Sequence, residues 1–147
     1  MGLFSRNGSD TSLPKDDRGA GSLNDYGYDL VPRNRRVTIT LAASNSCQDE
    51  LRAIVESGES QAETAMSPRT IEQERVDAPI EARLFTGRRV SGVVGRIPRG
   101  LESVVDETLR RLDDRGERPR IPVEIVGRPG AYRVRLLIGE GALIALH

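Results

Sequence analysis

Between residues 101 and 112 the side chains Leu101, Val104, Val105, Leu109 and Leu112 recur at i, i+3, i+4, i+8 and i+11, which is one apolar stripe of an amphipathic helix. Such a stripe has to be buried, and the flanking sequence offers mainly strands to bury it against. The expected fold is therefore α+β and mainly β, with one long helix entered after Pro98 and ending near Gly116. The opposite helical face carries Asp106 with Arg110 and Glu107 with Arg111, i,i+4 pairs that read as solvated charge.

The strand pattern begins at "RRVTITLAA", where Val37, Ile39 and Leu41 alternate with Thr38 and Thr40. "SNSCQDELRAIVESG" then predicts a short helix with Ser46 as N-cap, Leu51, Ile54 and Val55 as its apolar face, and Gly58 as its stop. Residues 59–77 are polar and contain Pro68, so they read as a linker with one exposed helical turn at "PRTIEQE". In "PIEARLF" the residues Ile80, Ala82 and Leu84 share a face, and the short "TGRR" turn into "VSGVVGRI" predicts an antiparallel hairpin. A second hairpin, "RIPVEIVGRPGAYRVRLLIG", places Ile121, Val123 and Ile125 opposite Tyr132, Val134 and Leu136, and "ALIALH" adds or covers an edge.

These elements need about one domain's length, and a chain of 147 residues supplies it. Residues 1–34, rich in Gly, Ser, Asn and Asp and without period, are expected to be a disordered or loosely docked arm ahead of a domain at 35–147. Tyr26, Tyr28 and Leu30 form its one candidate docking segment. With only 3% aromatic residues the core must be aliphatic.

Charge is divided rather than absent. Residues 1–77 carry nine Lys/Arg against thirteen Asp/Glu, a net of −4, and residues 78–147 carry thirteen against nine, a net of +4. The second half is the better partner for an anion. Cys47 is the single cysteine, which excludes an internal disulfide and a Cys/His zinc site, and fits a reducing, cytoplasmic setting. No stretch has the length of a membrane span, so no membrane contact is expected.

Nothing in the sequence points to an enzyme. The one histidine is His147, no GxSxG, Walker or HExxH pattern occurs, and the carboxylates Asp77 and Glu81 at a strand start read as exposed side chains. No metal and no cofactor are expected. The stretch "GRRVSGVVGRIPRG", residues 87–100, holds four arginines and four glycines. Its Gly92-Val93-Val94-Gly95 has the form of the GxxG that clamps a nucleotide backbone between two helices, but here it follows a strand. It reads as a strand with a bulge or close backbone approach, then a helix entrance, with Arg88, Arg89, Arg96 and Arg99 around it.

"VVGRIPRGLESVVDETLRRL" resembles the "VGYLP" segment and following helix of HIRAN domains, small OB-like β-barrels found fused to remodelling ATPases and as freestanding bacterial proteins. "SNSCQDELRAI" is similar to the family's early strand-to-helix stretch, and "PRIPVEIVGRPGAYRVRLLI" to its closing hairpin, so the resemblance spans residues 37–138. It implies an OB-like barrel with one long and one short helix. In the best-known members a motif similar to "EPxNxYDxxAI" helps to form a pocket for the 3′ end of single-stranded DNA. Here Glu72 and Asp77 stand in that neighbourhood, but the asparagine and the tyrosine are absent, with Arg75 and Val76 nearby instead, and Arg96 takes the place of the "VGY" aromatic.

Two functional expectations follow. One is a non-enzymatic HIRAN-like module that contacts nucleic acid, single-stranded DNA ends included, through an arginine-lined groove: Arg88, Arg89, Arg96 and Arg99 on phosphates, Arg75 and Asp77 at the end-binding pocket. The other is a protein-interaction adaptor that kept the barrel and lost the ligand, using the apolar C-terminal "GALIAL" as a strand added to a partner's sheet edge.

Overall fold

The structure is a computed structural model that describes residues 12–22, 37–58, 62–87, 89–116 and 120–138. Six strands form one antiparallel sheet: β1 (Ile39–Thr40), β2 (Ala62–Thr64), β3 (Glu81–Thr86), β4 (Arg89–Arg96), β5 (Ile121–Val126) and β6 (Arg133–Leu136). Three helices accompany them: α1 (Gln48–Glu56), α2 (Ile71–Arg75) and α3 (Glu102–Asp114). The strand order is β1-β6-β5-β2-β3-β4.

The sheet curls until its two edges meet. Two residues past β1, Ala42 exchanges backbone hydrogen bonds of 2.7 and 2.9 Å with Arg96 at the end of β4. Gly95 makes this approach possible, because a Cβ there would lie 2.8 Å from Ala42 O and 2.9 Å from both Leu41 Cβ and Ser44 Oγ. The glycine in the arginine-rich stretch therefore marks a close backbone contact. The bulge expected there is present too, since the β3–β4 register shifts between Ala82 and Arg83 and again between Arg83 and Phe85.

Inside the curl lies an aliphatic core. Ile39, Leu41, Ala82, Leu84, Val94, Ile121, Val134 and Leu136 are sealed by the α3 stripe of Leu101, Val105, Leu109 and Leu112, with Leu51 and Ile54 of α1. A leucine taken fully out of water in this way contributes roughly 1.5–3 kcal/mol before entropy is counted. Val55, expected on the buried face of α1, is 42% exposed: it lies one residue beyond Ile54, around the edge of a narrow apolar face. Gly58 ends the helix at φ +75° as expected.

Two expectations need correction. Residues 59–77 are not simply a linker, because β2 lies within them as the strand that joins the two halves of the sheet. Ala62, Glu63 and Thr64 pair with Val123, Pro122 and Ile121 of β5, and Glu63 and Thr64 pair with Phe85 and Leu84 of β3. Three residues are too few to show a period. Their place is secured by partners on both sides and by the buried Thr64 hydroxyl, which donates to Arg83 O at 2.8 Å. The helical turn expected downstream is α2, held by a capping box between Thr70 and Gln73.

The second concerns the N-terminal cap of α1. Ser46 does not cap it. The carboxylate of Asp17, 1% exposed, accepts from the N–H groups of Ser44 at 2.7 Å and Asn45 at 3.1 Å, at the 3₁₀ turn that leads into the helix. Of residues 1–34, residues 12–22 are thereby docked, and Ala20 pairs with Thr40 beside β1. Tyr26, Tyr28 and Leu30 lie outside the described residues.

Candidate nucleic-acid interface

The six residues expected at the site fall in two places. Arg89 opens β4 and Arg96 closes it, so they stand roughly 20 Å apart along the strand. Arg96 shares its end with Arg99 and Asp77, while Arg75 is the exposed last residue of α2, two positions before Asp77. Arg88 lies outside the described residues.

At the Arg96 end Arg99 is already committed to carboxylates. Arg99 Nη1 donates to Glu102 Oε2 at 3.0 Å and to Asp77 O at 2.9 Å, and lies 3.2 Å from the Asp77 carboxylate. Asp77 adopts φ +51°, a left-handed conformation that aspartate tolerates better than most residues. The turn so formed brings its carboxylate to Arg69 as well, at 3.5 Å.

Arg69 is the centre of this cluster, and sequence reasoning passed over it. Its Nε donates to Asp106 Oδ2 and its backbone N–H to Asp106 Oδ1, both at 2.8 Å, and its Nη1 reaches Ala78 O at 3.0 Å. Asp106 is 1% exposed, so it is not part of a solvated i,i+4 pair. Arg110 instead donates to Glu74 at 2.8 Å and to Arg69 O at 3.1 Å. The Glu107–Arg111 pair does form, at 3.5 Å. Burial works to lower the pKa of Arg69, but the hydrogen bond and charge of Asp106 outweigh it and hold the guanidinium above its ordinary value. Three guanidiniums, Arg69, Arg99 and Arg110, thus face four carboxylates, Glu74, Asp77, Glu102 and Asp106. This cluster ties α2 to α3 and carries no surplus of positive charge.

The β3–β4 hairpin is arranged differently. Alternation along β3 turns Ala82, Leu84 and Thr86 inward and leaves Arg83 and Phe85 on the outer face. Phe85 pairs with Val90, which is 56% exposed, and with Glu63 on β2. The guanidinium of Arg120, just ahead of β5, lies 4.4 Å from the centre of the Phe85 ring. Arg83 reaches Ser91 O at 3.5 Å, the long limit of a hydrogen bond. Arg83, Arg89 and Arg120 are all exposed, and none forms an ion pair with another described residue. A charge count could have found the arginines, but only the fold shows which have been neutralised.

Elsewhere the chemistry is structural. Gln48 donates to Tyr132 O at 3.0 Å and accepts from Tyr132 N–H at 2.8 Å, in effect an extra strand rung from α1 to β6. Partial burial pushes the Cys47 thiol up from its ordinary pKa, opposed by a hydrogen bond with Ser46 and reinforced by Asp17, Glu50 and Glu81. Among the described residues no cluster of His, Cys, Asp and Glu could hold a metal, and no helix is long and apolar enough to cross a membrane. The segment "GALIAL" lies outside the described residues. Comparison with protein-family models, with curated proteins and with solved structures returned no match.

Proposed function

We propose that this protein is a non-enzymatic binding module for nucleic acid, of the HIRAN-like kind its sequence resembles, and that the outer face of the β3–β4 hairpin carries the main phosphate contacts. The reading rests on one observation: Arg83 and Arg120 lie beside Phe85 on the outer sheet face, and Arg89 stands exposed at the start of β4, all without carboxylate partners among the described residues. An unpaired guanidinium costs nothing to redirect onto a phosphate, whereas Arg99 would have to leave Glu102 and Asp77 first.

Of the arginines expected from sequence, Arg89 takes the phosphate role, with Arg88 next to it in the chain. Arg75, Asp77, Arg96 and Arg99 are the candidates for a separate end-binding contact, in which Arg75 and Arg96 supply the charge and the Asp77–Arg99 pair shapes the turn. The test is a fluorescence-anisotropy titration of the full chain with single-stranded DNA bearing free or blocked 3′ ends, at two salt concentrations. Binding that weakens with salt supports the module, and a preference for free ends supports the end-binding contact. A folded protein that captures no oligonucleotide at low salt would refute the reading.

A further inference from the structure

The Arg120–Phe85 contact has a use beyond charge. Phe85 is the one Phe, Tyr or Trp on the outer sheet face among the described residues, since Tyr132 is buried in the core. The ring is half-buried, on the outer face of a sheet in a chain with only 3% aromatic residues. Its neighbours divide by chemistry. Val90 beside it and Pro122, two residues on from Arg120, are apolar, while Arg83 lies two residues back on the same face of β3, about 7 Å away. Glu63 lies across from Phe85 on β2, so the patch around the ring carries Arg83 and Arg120 against this carboxylate.

We propose that Phe85, with Arg120 laid over its ring, is a base-stacking position for single-stranded nucleic acid, an inference that rests on the proposed function and names the form of its ligand. An unpaired base has a π-face to set against the ring or against the planar guanidinium above it. A duplex has none to offer, because its bases are already stacked. The arginine about 7 Å along the strand then meets the phosphate of a neighbouring nucleotide. The charge alone would suit an acidic peptide equally; the ring selects a ligand that has a π-face as well as anionic groups, because an acidic peptide would satisfy the arginines and leave the ring unused.

The experiment compares an oligothymidylate with an abasic oligodeoxyribose phosphate of equal length, binding to the full-length protein and to Phe85→Leu, Phe85→Tyr and Arg83→Ala. The wild-type protein is expected to prefer the oligothymidylate by about 5- to 100-fold per stacked base. Phe85→Leu should remove that preference without changing the salt slope, and Phe85→Tyr should restore it. Arg83→Ala should weaken both ligands and flatten the slope. If the wild-type protein binds both ligands equally and with a salt slope, stacking at Phe85 is refuted while the nucleic-acid reading stands. If it binds neither, both fall.

Discussion

The two ends of β4 hold the same residue type in opposite situations. At the Arg96 end, Arg99 stands with Arg69 and Arg110 among four carboxylates, and these arginines tie α2 to α3. At the Arg89 end Arg83 and Arg120 flank a half-buried phenylalanine, and neither they nor Arg89 meet a carboxylate at ion-pair distance among the described residues. The difference teaches that an arginine-rich stretch is two things at once. Where buried acids are within reach the guanidinium is architecture, and where they are not it remains available to a ligand.

The largest effect expected from that contrast is at Asp106. Asp106→Ala leaves the Arg69 guanidinium, its side chain 8% exposed, without its main partner, and should destabilise the fold by about 3–5 kcal/mol in denaturant unfolding. Asp77→Ala, whose carboxylate is 78% exposed, should cost less than about 1 kcal/mol. Equal losses from the two would mean that the cluster is not organised around Arg69. Gly95→Ala tests the contact that closes the curl. With backbone and side-chain atoms within 2.9 Å of the new Cβ, it should cost about 1–3 kcal/mol.

Arg83→Ala with Arg89→Ala sharpens the other side. Both residues are exposed and neither forms an ion pair with another described residue, so stability should change by less than about 0.5 kcal/mol while oligonucleotide affinity falls. A large stability loss would show that these arginines are structural after all. The smallest effect concerns Cys47, whose half-buried thiol has a raised pKa. Its alkylation near pH 8 should be slower in the folded chain than in urea. Because the unfolded chain loses the thiol proton first as pH rises, Cys47 lowers stability only on the alkaline side, through and above the ordinary thiol range of about 8.5.

What was legible in the sequence follows from the range of the interaction involved. The stripe from Leu101 to Leu112 and the alternation of Ile80, Ala82 and Leu84 are local, and both elements formed with those faces inward. The glycines of residues 87–100 announced a close approach, although not that Ala42 would be the neighbour. β2 escaped notice because three residues carry no period, and its identity depends on β3 and β5 far along the chain. Asp106 read as a solvated helix position because its partner, Arg69, is 37 residues away. Asp17 was hidden in the same manner: a cap supplied from 27 residues upstream leaves no mark beside the 3₁₀ turn it serves. At the site, spacing identified the arginines as a group but could not divide them. That division is set by which carboxylates the fold brings within about 3 Å.

The central claim is that division, and the salt dependence of single-stranded DNA binding tests it most directly. Wild-type protein, the Arg83→Ala/Arg89→Ala double variant and Arg99→Ala would be titrated across a series of salt concentrations, with folding of each verified. The double variant should lose about 1.4 from the slope of log affinity against log salt, two phosphate contacts' worth on a single strand, and Arg99→Ala should keep the wild-type slope. A folded Arg99→Ala protein with a flattened slope, beside a double variant that binds like wild type, would contradict it and move the phosphate contacts to the Arg96 end.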